Sequence, residues 1–256
     1  MDIRGKEILV VGAGLSGLAV CRFLLHKGAK VLLYDGKAKE KLSGDISGLE
    51  KAGCRLLLGN QLPQKVTWQL VVVSPGVPPM IPILTMSREA GLAVIGEMEL
   101  AFRFAVSPFA AITGTNGKTT TTALTGYIAQ HSGINTLIGG NIGLPLVNSV
   151  ENFDGLIVAE LSSFQLESCV DFAPHIACYL NFENYALAKE KIFVHQKKDD
   201  FAILNYDDPV VRRSEESIQA QRRYFSLKVP VENGVFYRNG DIYLADQGQE
   251  QYLMSA

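Results

Sequence analysis

A lysine and a row of hydroxyls in a glycine-rich turn carry the densest chemistry in this sequence. The run is Ile112-Thr113-Gly114-Thr115-Asn116-Gly117-Lys118-Thr119-Thr120-Thr121-Thr122. It follows the apolar stretch Phe109-Ala110-Ala111-Ile112, a buried strand, and precedes Ala123-Leu124-Thr125-Gly126-Tyr127-Ile128-Ala129, a helix. Small residues between strand and helix let several backbone N–H groups converge at the positive end of a helix dipole, a point that suits a phosphate. Lys118 supplies a mobile cation for the outer phosphates and Thr119 a hydroxyl for Mg²⁺. The run departs from strict G-x-x-x-x-G-K-[ST], because Ile112 stands at the first glycine position, but Gly117-Lys118-Thr119 fits. A plain glycine-rich turn with an unrelated lysine is the competing reading. It does not explain why strand, glycine, lysine, hydroxyl and helix arrive in order.

Other residues suit the same cleft. Leu156-Ile157-Val158-Ala159-Glu160 is a hydrophobic strand ending in an acid. Ligands bind at strand C-termini in open α/β sheets, so Glu160 could share Mg²⁺ with Thr119; a strand-end or capping acid is the alternative. Gly139-Gly140-Asn141-Ile142-Gly143 is a further strand-end glycine cluster. Asn141 there serves either the cleft or the turn itself. Ser162 to Glu167 opens a helix. Lys189 lies in a stretch of helical period, where a lysine reads on residue type alone as part of a solvated face.

A second glycine motif stands near the N-terminus. Gly12-x-Gly14-x-x-Gly17 with Asp35 further on has the form of a dinucleotide fingerprint. It would serve NAD, FAD or another diphosphate, or be a tight turn with no ligand. A hydride-transfer enzyme has no need of the Lys118-Thr119 loop as well.

Strands alternate with helices throughout, which predicts α/β architecture with mainly parallel strands. Expected strands are 8–11, 31–34, 70–73 and 91–96, then 135–138, 156–159, 176–180 and 201–204. A helix follows Gly17 and ends at Gly28. Residues 235–244 form a hairpin whose Asn239-Gly240 pair suits a type I′ turn. The patches 196–200 and 212–223 read as solvated faces. The domains expected are 1–96, Rossmann-like, and 97–256, a P-loop-type central α/β domain.

Composition sets outer bounds. The 256 residues suffice for two domains, and 47% hydrophobic content supports real cores. A net charge of −2 gives no electrostatic case for nucleic acid or an anionic membrane. The longest apolar stretch, residues 8–25, is broken by three glycines and carries Arg22, so it is not a membrane span. The N-terminus lacks the apolar core of a signal peptide. Cys21, Cys54, Cys169 and Cys178 form no C-x-x-C pair and read as buried free thiols in a reducing cytoplasm. His26 and His131 fall near helix C-termini, where histidine caps carbonyls.

Together these motifs resemble the Mur ligases, and within them the D-glutamate-adding type. The resemblance covers nearly the whole chain. It rests on residues 12–17, 74–76, 113–120, 139–143 and 160–167; the last two clusters favour the D-glutamate-adding type. It implies a first domain holding the UDP end of a sugar-peptide, with Leu15 and Ser16 by the diphosphate. Asp35, Gly36, Lys37, Ser74, Pro75 and Gly76 would then lie near the uridine. It implies a central domain binding ATP and Mg²⁺ through Gly114, Thr115, Asn116, Gly117, Lys118, Thr119 and Thr120. Lys118, Glu160 and Lys189 would be catalytic. Thr119, Glu160 and Lys189 would hold metal, the lysine as a carbamate. Asn141 and Ser162 would contact the muramoyl-alanine end. The implied reaction phosphorylates the carboxylate of UDP-N-acetylmuramoyl-L-alanine; the amine of D-glutamate then displaces phosphate. A cytoplasmic monomer is expected. The runners-up are an NAD-dependent oxidoreductase and a nucleotide-binding module without full activity.

Two departures qualify the resemblance. The family carries a loop with Asp-His and then Asp-Arg, whose histidine is a metal ligand, where Asn181-Phe182-Glu183-Asn184-Tyr185 runs almost directly toward Lys189. About a dozen residues are missing, a normal loop length. Neither His175 nor His195 stands in the matching context. The chain also stops at Ala256, where the central domain should finish, so the amino-acid-binding third domain is expected to be absent and ligation incomplete.

Overall fold

The computed structural model describes residues 1–182 and 186–256, without the side chain of Ala186. The short junction at residues 183–185, where the family's loop was expected, lies outside them. Two compact units form. One comprises Met1–Val106, Gly143–Phe153 and Ser168–Val170; the other comprises Ser107–Ile142, Asp154–Glu167 and Asp171–Ala256. Residues 97–106 therefore pack with the first unit, not with the second as the expected division at 96 has it.

In the first unit, β1 (Glu7–Val11), β2 (Lys30–Asp35), β3 (Arg55–Leu58), β4 (Leu70–Val73) and β5 (Val94–Gly96) form a parallel sheet in the order β3-β2-β1-β4-β5. Side chains alternate along each strand. Leu9, Val11, Leu32, Tyr34 and Val71 meet Ile83 and Leu84 of helix α3 (Pro82–Glu89) and the indole of Trp68. Helix α1 (Leu15–His26) lies over β1, β2 and β4. Gly28 ends it at φ +77°, as expected of a left-handed cap. Helix α2 (Ile46–Lys51) is capped by Asp45, which accepts from Gly48 N. Strand β3 is not evident from sequence, because RLLL between two glycines is too short to show a period.

Helix α4 (Glu97–Phe104) ties the two later segments into this unit. Glu97, 1% exposed, accepts from Val147 N at 2.9 Å. Glu99 accepts from Val170 N at 3.0 Å and from Arg103 at 2.7 Å. Burial pushes the Glu97 carboxyl above the usual glutamate range, against the pull of the Val147 and Leu146 amides. The folded state thus holds this proton more tightly than the unfolded chain does. The resulting stability is present below the unfolded value of about 4.3 and is lost as pH rises through the folded one. Glu97→Gln keeps the carbonyl acceptor and removes the charge. Its unfolding midpoint should fall less than the wild type's as pH rises above about 4.3. Identical slopes in a pH series of melting curves would contradict this.

The second unit is a nine-stranded sheet in the order β14-β13-β12-β11-β10-β9-β6-β8-β7. Its strands are β6 (Phe109–Thr113), β7 (Thr136–Gly140), β8 (Leu156–Glu160), β9 (Ile176–Tyr179), β10 (Phe201–Asn205), β11 (Gln221–Ser226), β12 (Gly234–Arg238), β13 (Asp241–Asp246) and β14 (Gln249–Ser255). From β7 across to β12 every pair is parallel, and β12-β13-β14 is antiparallel. The expected hairpin is present, with Asn239 at φ +56° and Gly240 at φ +93°. Helix α5 (Lys118–His131) packs on β7 and β8, and a Cβ at Gly126 would lie 2.2 Å from Ile138 Cδ1. Beside α5 an apolar groove of about 430 Å³ remains, lined by Ile112, Ile176, Leu180, Ile203 and Phe225. Helices α6 (Ser163–Glu167), α7 (Ala186–Glu190) and α8 (Pro209–Arg213) complete the unit.

The two expected solvated faces are largely exposed, with single residues that depart. Gln196 is 4% exposed, and its Nε2 donates to Pro174 O and Phe201 O at 3.0 Å each. Residues 212–223 run into β11, whose arginines lie on the exposed half while Tyr224 and Ser226 pack inward. His131 is as expected: Nδ1 lies 2.9 Å from Tyr127 O. All four cysteines are free; Cys21 and Cys54 are buried, whereas Cys169 and Cys178 are half-buried. Among the described residues no helix is long and apolar enough to cross a membrane.

Candidate functional site

Strand β6 lies between β8 and β9, so the chain leaves it in one direction toward β7 and returns on the other side as β9. Such a switch point opens a crevice at the strand C-termini. The loop Gly114–Gly117 lies there, ahead of α5. Gly117 takes φ +79°, a left-handed turn that aims the first-turn amides of α5 outward. Lys118 Nζ folds back to Gly114 O and Thr115 O, each at 3.0 Å. Thr119 and Thr120 are exposed on the first turn.

Glu160 closes the crevice from β8. It is 2% exposed, and both carboxylate oxygens are used: Oε2 accepts from Thr119 Oγ1 at 2.7 Å and Oε1 from Asn141 Nδ2 at 2.8 Å. Asn141 N also donates to Glu160 O at 2.8 Å. That turn requires glycine at 140, where φ is +100° and a Cβ would lie 2.3 Å from Glu160 O. Asn141 thus serves the turn and the acid together.

Lys189 was expected, on residue type, to face solvent. Instead it is 4% exposed, and its Nζ donates to Thr115 Oγ1 at 2.7 Å. Two lysines therefore converge on Thr115, one on its carbonyl and one on its hydroxyl. Ser162 is committed locally. Its N and Oγ both donate to Gln165 Oε1 at 3.0 Å, and Gln165 N returns to Ser162 Oγ at 3.3 Å, a capping box at the start of α6. Asn181, at the end of β9, was not singled out in the sequence. Its side chain binds the backbone of Thr115 and Asn116. No spacing rule identifies such a residue, because the contact spans 65 positions.

The donor set fits a magnesium nucleotide. Mg²⁺ keeps several waters and takes one or two protein oxygens beside substrate phosphates. The Thr119 hydroxyl and Glu160 carboxylate, already touching, are such a pair. Among the described residues no group of three or more His, Cys, Asp or Glu side chains is placed to hold a metal ion by itself. His175 pairs with Asp200 at 2.9 Å.

The first unit carries its own cavity, about 360 Å³, lined by Gly12, Ala13 and Gly14, by Asp35, Gly36 and Lys37, and by Ser74, Pro75 and Gly76. Leu15 and Ser16 begin α1 and do not line it. Asp35 braces the glycine turn: Oδ2 accepts from Ala13 N at 2.8 Å and Oδ1 from Lys37 N at 2.9 Å. Ser74 Oγ donates to Gly12 O at 3.0 Å. A Cβ at Gly17 would lie 1.8 Å from Gly12 O, so only glycine lets α1 start so close to β1. An Asp35 carboxylate spent on backbone amides is poorly placed to serve a ribose hydroxyl, as a dinucleotide enzyme would require.

Comparison with known proteins gives two successive matches along the chain. A family profile described as the Mur ligase MurD-like N-terminal domain matches residues 6–96, and one described as the Mur ligase middle domain matches residues 112–255. The UDP-N-acetylmuramoylalanine–D-glutamate ligase of Pelotomaculum thermopropionicum is 42% identical, over 98% of this chain and 58% of its own length. That of Koribacter versatilis is 43% identical, over 99% of this chain and 59% of its own. The chain thus spans a little under 60% of these curated relatives. In fold it resembles a solved UDP-N-acetylmuramate:L-alanyl-gamma-D-glutamyl-meso-diaminopimelate ligase from Neisseria meningitides. That match has TM-score 0.58 and 14% identity, and covers 96% of this chain and 86% of that one. A murein peptide ligase from Psychrobacter arcticus matches equally, at TM-score 0.58 and 17% identity over 98% of this chain and 62% of its own.

Proposed function

The chain belongs to the Mur ligase family, and from that premise we propose that it serves an ATP-dependent ligase that adds D-glutamate to UDP-N-acetylmuramoyl-L-alanine in cytoplasmic peptidoglycan precursor synthesis. The observation that carries the reading is the 2.7 Å contact between Thr119 and Glu160 at the mouth of the Lys118 loop. It joins a metal-binding hydroxyl and acid at the point where phosphates would lie. Bound ATP·Mg²⁺ would supply the phosphoryl group that activates the substrate carboxylate.

The chain's own residues position and neutralise. The amides from Gly117 onward cradle phosphate oxygens at the α5 dipole. Lys118 leaves its two carbonyls to offset charge on the outer phosphates. Thr119 and Glu160 hold Mg²⁺, and Asn141 keeps the Glu160 carboxylate aimed. Asn141 and Ser162 meet the muramoyl-alanine end. In the first unit, Leu15 and Ser16 approach the diphosphate, and residues 35–37 and 74–76 the uridine.

Lys189 takes its part as a carbamate. As an ammonium it can only donate, as it does to Thr115; as a carbamate it would be an anion able to hold metal. Labelling with ¹³C-bicarbonate should give a carbamate carbon resonance that Lys189→Ala removes. A spectrum unchanged by that substitution would defeat the assignment.

Calorimetric titration of this chain separates the ligase from its runner-up. UDP-N-acetylmuramoyl-L-alanine should bind at micromolar levels and NADH should not. The reverse order would establish the oxidoreductase reading instead.

A further inference from the structure

We propose that Asn181 is a positioning residue for the phosphate loop, which fixes Thr115 and Asn116 and leaves the cradle to the amides from Gly117 onward; the inference rests on the nucleotide reading above. The carboxamide reaches from the end of β9 to the loop after β6. Its Oδ1 accepts from Thr115 N and Asn116 N at 2.9 Å each, and its Nδ2 donates to Asn116 O at 2.9 Å. The Asn181 carbonyl takes a further, longer bond from Thr115 N at 3.2 Å. A carboxamide offers two acceptor sites and two donors. Three of these four are spent on one dipeptide.

The approach is built in from both sides. A Cβ at Gly114 would lie 3.0 Å from Leu180 Cβ and 3.4 Å from Asn181 Oδ1, and with φ at +155° a side chain there would be strained as well as crowded. Asn181 is itself held by its neighbours: Leu180 N donates to Thr113 O at 2.9 Å, Asn205 Nδ2 to Leu180 O at 2.8 Å, and Phe182 N to Asp208 Oδ2 at 2.8 Å. Asp208 in turn caps α8.

The consequence concerns which amides meet the ligand. The resemblance places Thr115 and Asn116 among the ATP-binding residues, yet their N–H groups donate to Asn181. The donors left are the first-turn amides of α5, which have no partner within the helix. A loop of small residues would otherwise lose much conformational entropy on binding. Asn181 meets that cost during folding, so the cradle is preformed.

The test titrates wild type, Asn181→Ala and Asn181→Asp with Mg²⁺ and a non-hydrolysable ATP analogue, and follows hydrogen exchange at the Thr115 and Asn116 amides. Asn181→Ala should weaken the analogue about tenfold or more and expose both amides to fast exchange, with its melting transition retained. Asn181→Asp keeps an acceptor for both amides and should restore their protection. An alanine variant that binds like wild type, or keeps both amides protected, overturns the inference. If the alanine variant does not fold, Asn181→Asp decides: fast-exchanging amides in the folded aspartate variant overturn the inference, and protected ones support it. Wild type that fails to bind the analogue overturns the nucleotide reading instead.

Discussion

Lys118→Ala is expected to abolish ATP-dependent acyl phosphate formation while leaving the fold intact. The ammonium donates to Gly114 O and Thr115 O, and the proposed function has it leave them for the outer phosphates. Both carbonyls lie at the mouth of the crevice, where water can replace the lysine, so the substitution should cost about 1–2 kcal/mol of stability. Its cost to the reaction is of another order. A cation placed against transferring phosphoryl oxygens contributes roughly 10³–10⁵ in rate. Turnover should therefore fall by about a thousandfold or more, and the Mg²⁺-nucleotide should bind more weakly. ADP formation with UDP-N-acetylmuramoyl-L-alanine present measures it, because the phosphoryl group stays on the substrate carboxylate until an amine displaces it. Wild-type turnover in this variant would remove Lys118 from the mechanism.

Glu160→Gln should separate metal from nucleotide. A glutamine can satisfy the same neighbours, its carbonyl accepting from Asn141 and its amide donating to the Thr119 hydroxyl, which turns to accept. The fold should therefore survive. The negative charge is gone, and Mg²⁺ loses the carboxylate proposed to hold it beside Thr119. The Mg²⁺ concentration for half-maximal nucleotide binding should rise about tenfold or more. Binding of metal-free nucleotide should hold or improve, because a carboxylate no longer opposes the phosphates. Glu160→Ala should behave worse, since it also strands Asn141. An unchanged Mg²⁺ requirement in Glu160→Gln would show that the acid is structural.

The parts of this site legible in the sequence are those made by contiguous residues. Gly117-Lys118-Thr119 must turn and then start a helix, and Leu156–Glu160 must bury and then end in an acid; each rule acts over a few positions. Asn239-Gly240 is equally local. Asn181 was hidden because its partners lie 65 and 66 positions away. The burial of Lys189 follows from β9 and α7 folding it under the loop, which helical period alone cannot reveal. Arg222 and Arg223 masked β11, since a strand's exposed half tolerates any charge. The acids Glu97 and Glu99 look like solvated positions of a short helix until residues 143–153 and 168–170 return to meet them.

A crystal structure of this chain with Mg²⁺ and a non-hydrolysable ATP analogue tests the central claim most directly. The result expected has phosphate oxygens within hydrogen-bond reach of the Gly117–Thr119 amides and of Lys118 Nζ, and Mg²⁺ bound by Thr119 Oγ1 and Glu160. An analogue bound elsewhere, with the loop still closed by Lys118 on its own carbonyls, would contradict it.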